Sequence, residues 1–169
     1  MKLIFSLGLA LFLTASRSQA GNLPGYTTLF TLERTSNTNQ VVYEANLDNS
    51  DNPIHAYWIM RAQDGHTEEL TSTERTRVYG TKLISATPEV AQFSIVSFQS
   101  RPITVRLDPT THAPYATMNM NHQDRILIDF FLNLGGFLIP HVNSVDLTYE
   151  DTLDGPALHD TFNPNRSSD

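Results

Sequence analysis

The sequence predicts a mainly β protein, an antiparallel β-barrel or β-sandwich of about nine short strands with one short helix. Three observations predict it. Apolar and polar residues alternate with period two through most of residues 27–150, and clusters of Pro, Gly, Asn and Asp punctuate the runs at close intervals. One segment alone, residues 70–79, breaks that period with helix start and stop signals.

The elements follow in order. Residues 29–34 (LFTLER) and 40–46 (QVVYEAN) are β-rich runs parted by Ser36-Asn37-Thr38-Asn39, a polar cluster that favours a turn, so they form a hairpin. Residues 54–62 make the next strand, closed by Gln63-Asp64-Gly65-His66, in which Asp-Gly is a strong turn signal. In residues 70–79 (LTSTERTRVY), Thr71 or Ser72 is placed to cap a helix, a glutamate follows in its first turn and Gly80 stands just past its end. Residues 82–87, 91–99, 103–107, 115–121, 125–134 and 142–150 supply the remaining strands, separated by turn residues such as Pro88, Arg101-Pro102, Asp108-Pro109 and Gly135-Gly136. After Asp151 the periodicity stops, and a loosely ordered tail is expected. Alternation is compatible with both a barrel and a sandwich.

Residues 1–20, MKLIFSLGLALFLTASRSQA, set a positive Lys2 before an uncharged apolar run and end in the small residues Ser18 and Ala20. This is the build of a secretory signal peptide with cleavage after Ala20, which sends residues 21–169, read as a single β-rich domain, to the periplasm or the exterior. No later run reaches the length of apolar residues a membrane-spanning helix needs. Cysteine is absent, which excludes disulfides, thiolate metal sites and lipid attachment at a cysteine. Eleven Lys and Arg face eighteen Asp and Glu, for a net charge of −7, and removal of the signal takes Lys2 and Arg17 but no acid. Nucleic acids and anionic membrane surfaces require a concentrated positive face, so neither is an expected partner.

Candidate site residues come from two segments and one strand. In IHAYWIM (residues 54–60), period two puts His55 and Tyr57 on one face and Ala56, Trp58 and Met60 on the other. The plain reading makes Trp58 a core anchor; the sharper one lines a ligand site with His55 and Tyr57. The helical segment offers Glu74 and Arg75, which either pair on the surface or reach inward toward Arg34 or Glu33 from the first strand. Ala116, Met118 and Met120 alternate with polar residues, so Met118 either fills the core or lines an adaptable apolar pocket. Asp129 interrupts an apolar run and calls for either solvent or a partner such as Arg106.

Catalytic and metal motifs are missing. There is no G-x-S-x-G elbow and no H-E-x-x-H, and the six histidines are scattered. His159-Asp160 falls in the tail, without rigid support. Residues 48–52 (DNSDN) alternate oxygen donors as a calcium loop would, but Pro53 and Ile59 occupy positions where that loop needs glycine and glutamate. No catalytic residue, metal site or cofactor is assigned.

Arg34, Asn37, Asn39, Val42 and Tyr43 in the hairpin, Tyr57 and Trp58 in the third strand, and Glu74, Arg75, Tyr79 and Gly80 at the helix together resemble an uncharacterised family of secreted bacterial proteins, the domain of unknown function number four-eight-three-three. A weaker match runs over residues 140–149. The resemblance implies a single exported domain of a Gram-negative envelope and brings no activity with it. The leading expectation is a non-catalytic binding protein for a small or amphipathic ligand, held by His55, Tyr57, Glu74, Arg75 and Met118. The alternatives are a structural or protein-interaction module of the envelope and a hydrolase that pairs Glu74 with His55.

Overall fold

The computed structural model describes residues 23–34, 37–98, 101–135 and 141–164. The expected signal segment, residues 1–20, lies outside the described residues.

Strands β1 (Thr27–Arg34) and β2 (Asn37–Ala45) form the expected hairpin, but they run closer together than the polar cluster suggested, with Arg34 paired to Asn37. Asn39 therefore serves no turn. Its side-chain oxygen accepts a hydrogen bond from the Ala62 N–H at 2.9 Å, tying the hairpin to the next turn. Strand β3 (Ile54–Ile59) stops short of Ala62 because the Met60 N–H donates to the His66 carbonyl at 2.8 Å. Gly65, at φ 77°, turns the chain into β4 (Thr67–Glu69), a strand too short to show a period in sequence. Helix α1 (Ser72–Arg77) begins at Thr71, whose hydroxyl accepts from the Glu74 N–H while the Glu74 carboxylate accepts from the Thr71 N–H. This reciprocal capping box occupies Glu74, which pairs with neither Arg34 nor Glu33.

Strand β5 (Thr81–Ala86) leads into β6 (Val90–Ile95), which ends earlier than expected and passes into a 3₁₀ turn, Val96–Phe98. The cause is local: the Val96 and Ser97 N–H groups donate to Gly80 and Val78 at 3.0 and 3.1 Å, so they leave the ladder. Strands β7 (Ile103–Leu107), β8 (Pro114–Met120), β9 (Gln123–Gly135) and β10 (His141–Glu150) lie where expected. The tail does not fray throughout. Strand β11 (Leu158–Phe162) pairs with β10 from Val145–Phe162 to Tyr149–Leu158, and its Phe162 is buried against Phe98.

All strands join one sheet, whose main path runs β4-β3-β2-β1-β9-β8-β7-β6-β5. Strand β9, 13 residues long, is its branch point. Residues 123–126 pair antiparallel with β8, residues 129–132 pair parallel with β1, and β10 takes the opposite edge with β11 beyond it. The antiparallel expectation thus holds for every strand pair except β1 with β9. A parallel pair needs a long crossover, which the many residues between these two strands supply.

From β9 the sheet curls into two wings whose inner faces share one core. Phe30 stacks on Tyr43 at 4.8 Å, meets Phe130 edge-on at 5.2 Å and lies parallel to Phe93 of the other wing at 6.4 Å. The wings approach each other at β3 and β5, but no ladder joins these strands, so the result is a half-barrel and not a closed barrel. Strand β4 pairs only with residues 57–59 of β3, which leaves the first half of β3 facing the seam. Asp129 points to the outer face, where the Thr31 hydroxyl donates to it; burial still raises its carboxyl above the usual range. Arg106, the partner expected for Asp129, instead donates to Thr117 at 3.2 Å.

Among the described glycines Gly80 is the most closely packed, for a Cβ there would stand 1.7 Å from the Arg75 carbonyl oxygen. Backbone cannot yield as a side-chain tip can. Gly80→Ala should therefore cost about 3 kcal/mol of stability, measured as a lowered urea midpoint at unchanged slope.

Candidate functional site

Two pockets hold site residues named from sequence, one at the seam between the wings and one beside it, between β1–β4 and α1. The first, about 180 Å³, lies between β3, β5 and α1 and is lined by Asn52, His55, Arg75 and Thr81, with Gly80 backbone and apolar floor residues such as Ile54 and Leu70. Period two along β3 turns Ala56 and Trp58 into the core and leaves His55 and Tyr57 on the other face, as the sequence required. The antiparallel register of β2 and β3 then sets Glu44 directly opposite His55.

A chain of charged contacts follows from that register. The fully buried Glu44 offers one carboxylate oxygen to His55 Nδ1 at 2.8 Å, and its second oxygen is buried without a partner. His55 Nε2 faces Glu69 of β4 at 3.2 Å. Arg75 donates to the other Glu69 oxygen at 2.6 Å and, through Nε, to the Leu70 carbonyl at 3.0 Å. The ring thus bridges two acids, Glu44 of β2 and Glu69 of β4. Tyr57 stacks over His55 at 5.6 Å and is itself buried beside Val42. Tyr26 meets the ring edge-on at 6.1 Å.

The neighbouring pocket, about 130 Å³, sits over Trp58 and is lined by Arg34, Asn39, Glu68, Glu69 and Glu74 among others. Arg34 lies 5.8 Å from the Trp58 ring centre and donates to the Tyr79 hydroxyl at 3.3 Å, while Trp58 meets Tyr79 edge-on at 4.9 Å. Burial raises the Tyr79 phenol above its ordinary range, and the Arg34 charge opposes that. Tyr79 also receives, on its backbone carbonyl, the hydroxyl of buried Tyr43 at 2.8 Å. Trp58 is the core anchor that the plain sequence reading made it.

Of the five residues named from sequence, His55 and Arg75 share the first pocket and Tyr57 supports His55 from behind. Glu74 lines the second pocket while bound into the capping box, so the pairing of Glu74 with His55 is replaced by Glu44 and Glu69. Met118 is fully buried in the core, apart from both pockets. Sequence reasoning missed Glu44, Glu69, Asn52 and Thr81. Glu44 had a signal: it alternates with Val42 in QVVYEAN, on the face that a hairpin partner strand would meet.

A family model described as Domain of unknown function (DUF4833) matches residues 30–160. The chain belongs to this family. The matched span begins in β1 and ends in β11, so it contains both wings and both pockets. No curated protein and no solved structure matches the chain. Several residues of the matched span singled out from sequence meet in space: Arg34, Asn39, Trp58 and Glu74 in the second pocket, Arg75 and Gly80 in the first. No helix among the described residues is long and apolar enough to cross a membrane.

One titration at the rim of the second pocket is testable. His66 Nε2 contacts Glu68 at 2.7 Å and its Nδ1 contacts Asp64; these two acids, Glu68 first, raise its pKa above the ordinary 6.5. The folded imidazole therefore binds its proton more tightly than the unfolded one, so its contribution to stability is full below about pH 6.5 and is lost as pH rises through the raised value. Proton NMR should place the His66 titration above that of a free imidazole, and His66→Asn should remove this part of the pH dependence of the unfolding midpoint.

Proposed function

We propose that this protein is an exported, non-catalytic binding protein of the cell envelope that takes a small polar ligand in the pocket between β3, β5 and α1. The observation that carries the reading is that His55 and Arg75 line one pocket together with Asn52 and Thr81. These groups suit a small molecule with at least one negatively charged or strongly accepting end, because a guanidinium has only donors to offer. At about 180 Å³ the pocket is smaller than the roughly 300–1,000 Å³ sites of drug-sized ligands, so a small metabolite fits the space better than a lipid. Side chains such as Phe30, Phe93 and Phe130 fill the space between the wings, which argues for a ligand at the rim and against an amphipathic one inside. Export is supported by the apolar run and small residues of residues 1–20.

A second reading, a protein-interaction module, has one specific observation behind it. Leu83 and Ile84 are 45% and 52% exposed on β5, the terminal strand of the sheet path. Exposed apolar residues on an edge strand are a template for pairing with another chain.

Native mass spectrometry of the protein purified gently from an envelope extract of its own host separates the two. The binding reading expects a stoichiometric small molecule whose retention falls at least tenfold in Arg75→Ala, a loss of about 1.4 kcal/mol. A clean apo mass sinks that reading. A protein partner lost in Leu83→Ser with Ile84→Ser would establish the second.

A further inference from the structure

Arg101 differs from the other arginines that the fold holds in place. Arg34 donates to Tyr79, Arg75 to Glu69, Arg106 to Thr117 and Arg125 to Asp151. Arg101 is only 8% exposed, yet its side chain donates no hydrogen bond to any described residue, and its Nε is fully buried without a partner. The guanidinium carbon lies over the ring of Phe162, 4.5 Å from its centre, at the end of β11. The Arg101 N–H donates to the Phe98 carbonyl at 3.2 Å, and Phe98 packs edge-on against Phe162 at 6.1 Å. Ser97, on the same turn, has a hydroxyl that is also buried without a partner.

A guanidinium brings five donors and no acceptor, and removing it from water is unfavourable unless those donors are met. Stacking on a ring returns only part of what hydration supplied. The acid that acts on Arg101 electrostatically is Asp160, two residues before Phe162, but it makes no hydrogen bond to the guanidinium; burial accordingly lowers the guanidinium from its ordinary range. A packing role alone is satisfied by an apolar side chain of similar length, without this unfavourable burial. The planar fork of an arginine is instead suited to one class of group, the paired oxygens of a carboxylate or a phosphate.

We propose that Arg101 is the anchor of an oxyanion-binding site, separate from the seam pockets, in which the carboxylate or phosphate of a small ligand docks on the guanidinium beside the Phe162 ring. The site stands independently of the ligand assigned to the seam pocket, because no residue is shared between them.

The test is a titration of the arginine Nε–H resonances of the full chain by NMR, with inorganic phosphate in one arm, acetate in a second and chloride at matched ionic strength as control. The Arg101 signal is assigned by its contact with the Phe162 ring protons, so assignment needs no variant. A saturable shift of that signal alone is expected in the phosphate arm, the acetate arm or both, and the arm that responds names the ligand class. The Phe162 ring protons report the same titration in a chain that lacks the guanidinium, and in Arg101→Lys, which keeps the charge and loses the fork, the affinity they read should fall at least tenfold. An Arg101 signal that stays still in both arms, or moves equally with chloride, overturns the proposal and leaves Arg101 a stacked structural cation. An unchanged affinity in folded Arg101→Lys overturns it as well, since general charge attraction would then explain the binding.

Discussion

Along one edge of β9, the backbone groups of residues 123–126 are taken by β8 and those of residues 129–132 by β1. One strand thus carries two neighbours on the same side, and because strands twist relative to their neighbours, those two cannot continue as a single flat layer. They diverge into the wings β1 to β4 and β8 to β5. The wings bury their apolar faces on each other, with Phe30, Phe93 and Phe130 bridging the gap. The half-barrel, its single core and its open seam all descend from this shared edge.

The seam is where the structure spends its polar chemistry. A sheet that closed by a ladder between β3 and β5 would satisfy its backbone there and leave no pocket; this one is spanned by α1 and by the close passage of Gly80 across Arg75. The capping box at Thr71 and Glu74 fixes where α1 starts, and Arg75 consequently reaches Glu69 and Leu70. Burying Glu44 beside His55 is unfavourable in isolation and becomes tolerable through the contact between them and the onward link to Glu69. The second Glu44 oxygen remains unmet. Among the described residues, unmet buried polar atoms also occur at Gln40, Ser97, Arg34 and Arg101, and at the last two a guanidinium lies over an aromatic ring, that of Trp58 and that of Phe162.

Much of the fold was legible because it depends on short-range chemistry. Alternation placed nine of the strands to within a few residues, and Thr71, Glu74 and Gly80 announced the helix and its limits. What was missed has a physical cause in each case. Strand β4 is three residues long and β11 lies beyond a turn-rich stretch, so neither carries enough period to be read. The parallel pairing of β1 and β9 joins residues nearly a hundred positions apart, which no local pattern encodes. In the site, His55 and Arg75 stood out as residue types, but nothing local marked their partners Glu44 and Glu69; register sets Glu44 opposite the histidine, and β4, whose Glu69 pairs with Tyr57, brings the second acid to it.

The sequence by itself determined the element types, the placing of Trp58 on one face of its strand and of His55 and Tyr57 on the other, and the lack of thiol or zinc-binding motifs, because each of these depends on residues a few positions apart. Only the tertiary structure decided which face of β3 is the core, that the sheet stays open, that Glu74 belongs to its helix and not to His55, that Met118 is packing, and that the Arg101 Nε is buried without a partner among the described residues. Those outcomes depend on which distant strands share an edge. Hydrogen-bond ladders are chemically alike along every strand, so the choice among them is made by the packing of the whole core and not by any stretch of the chain.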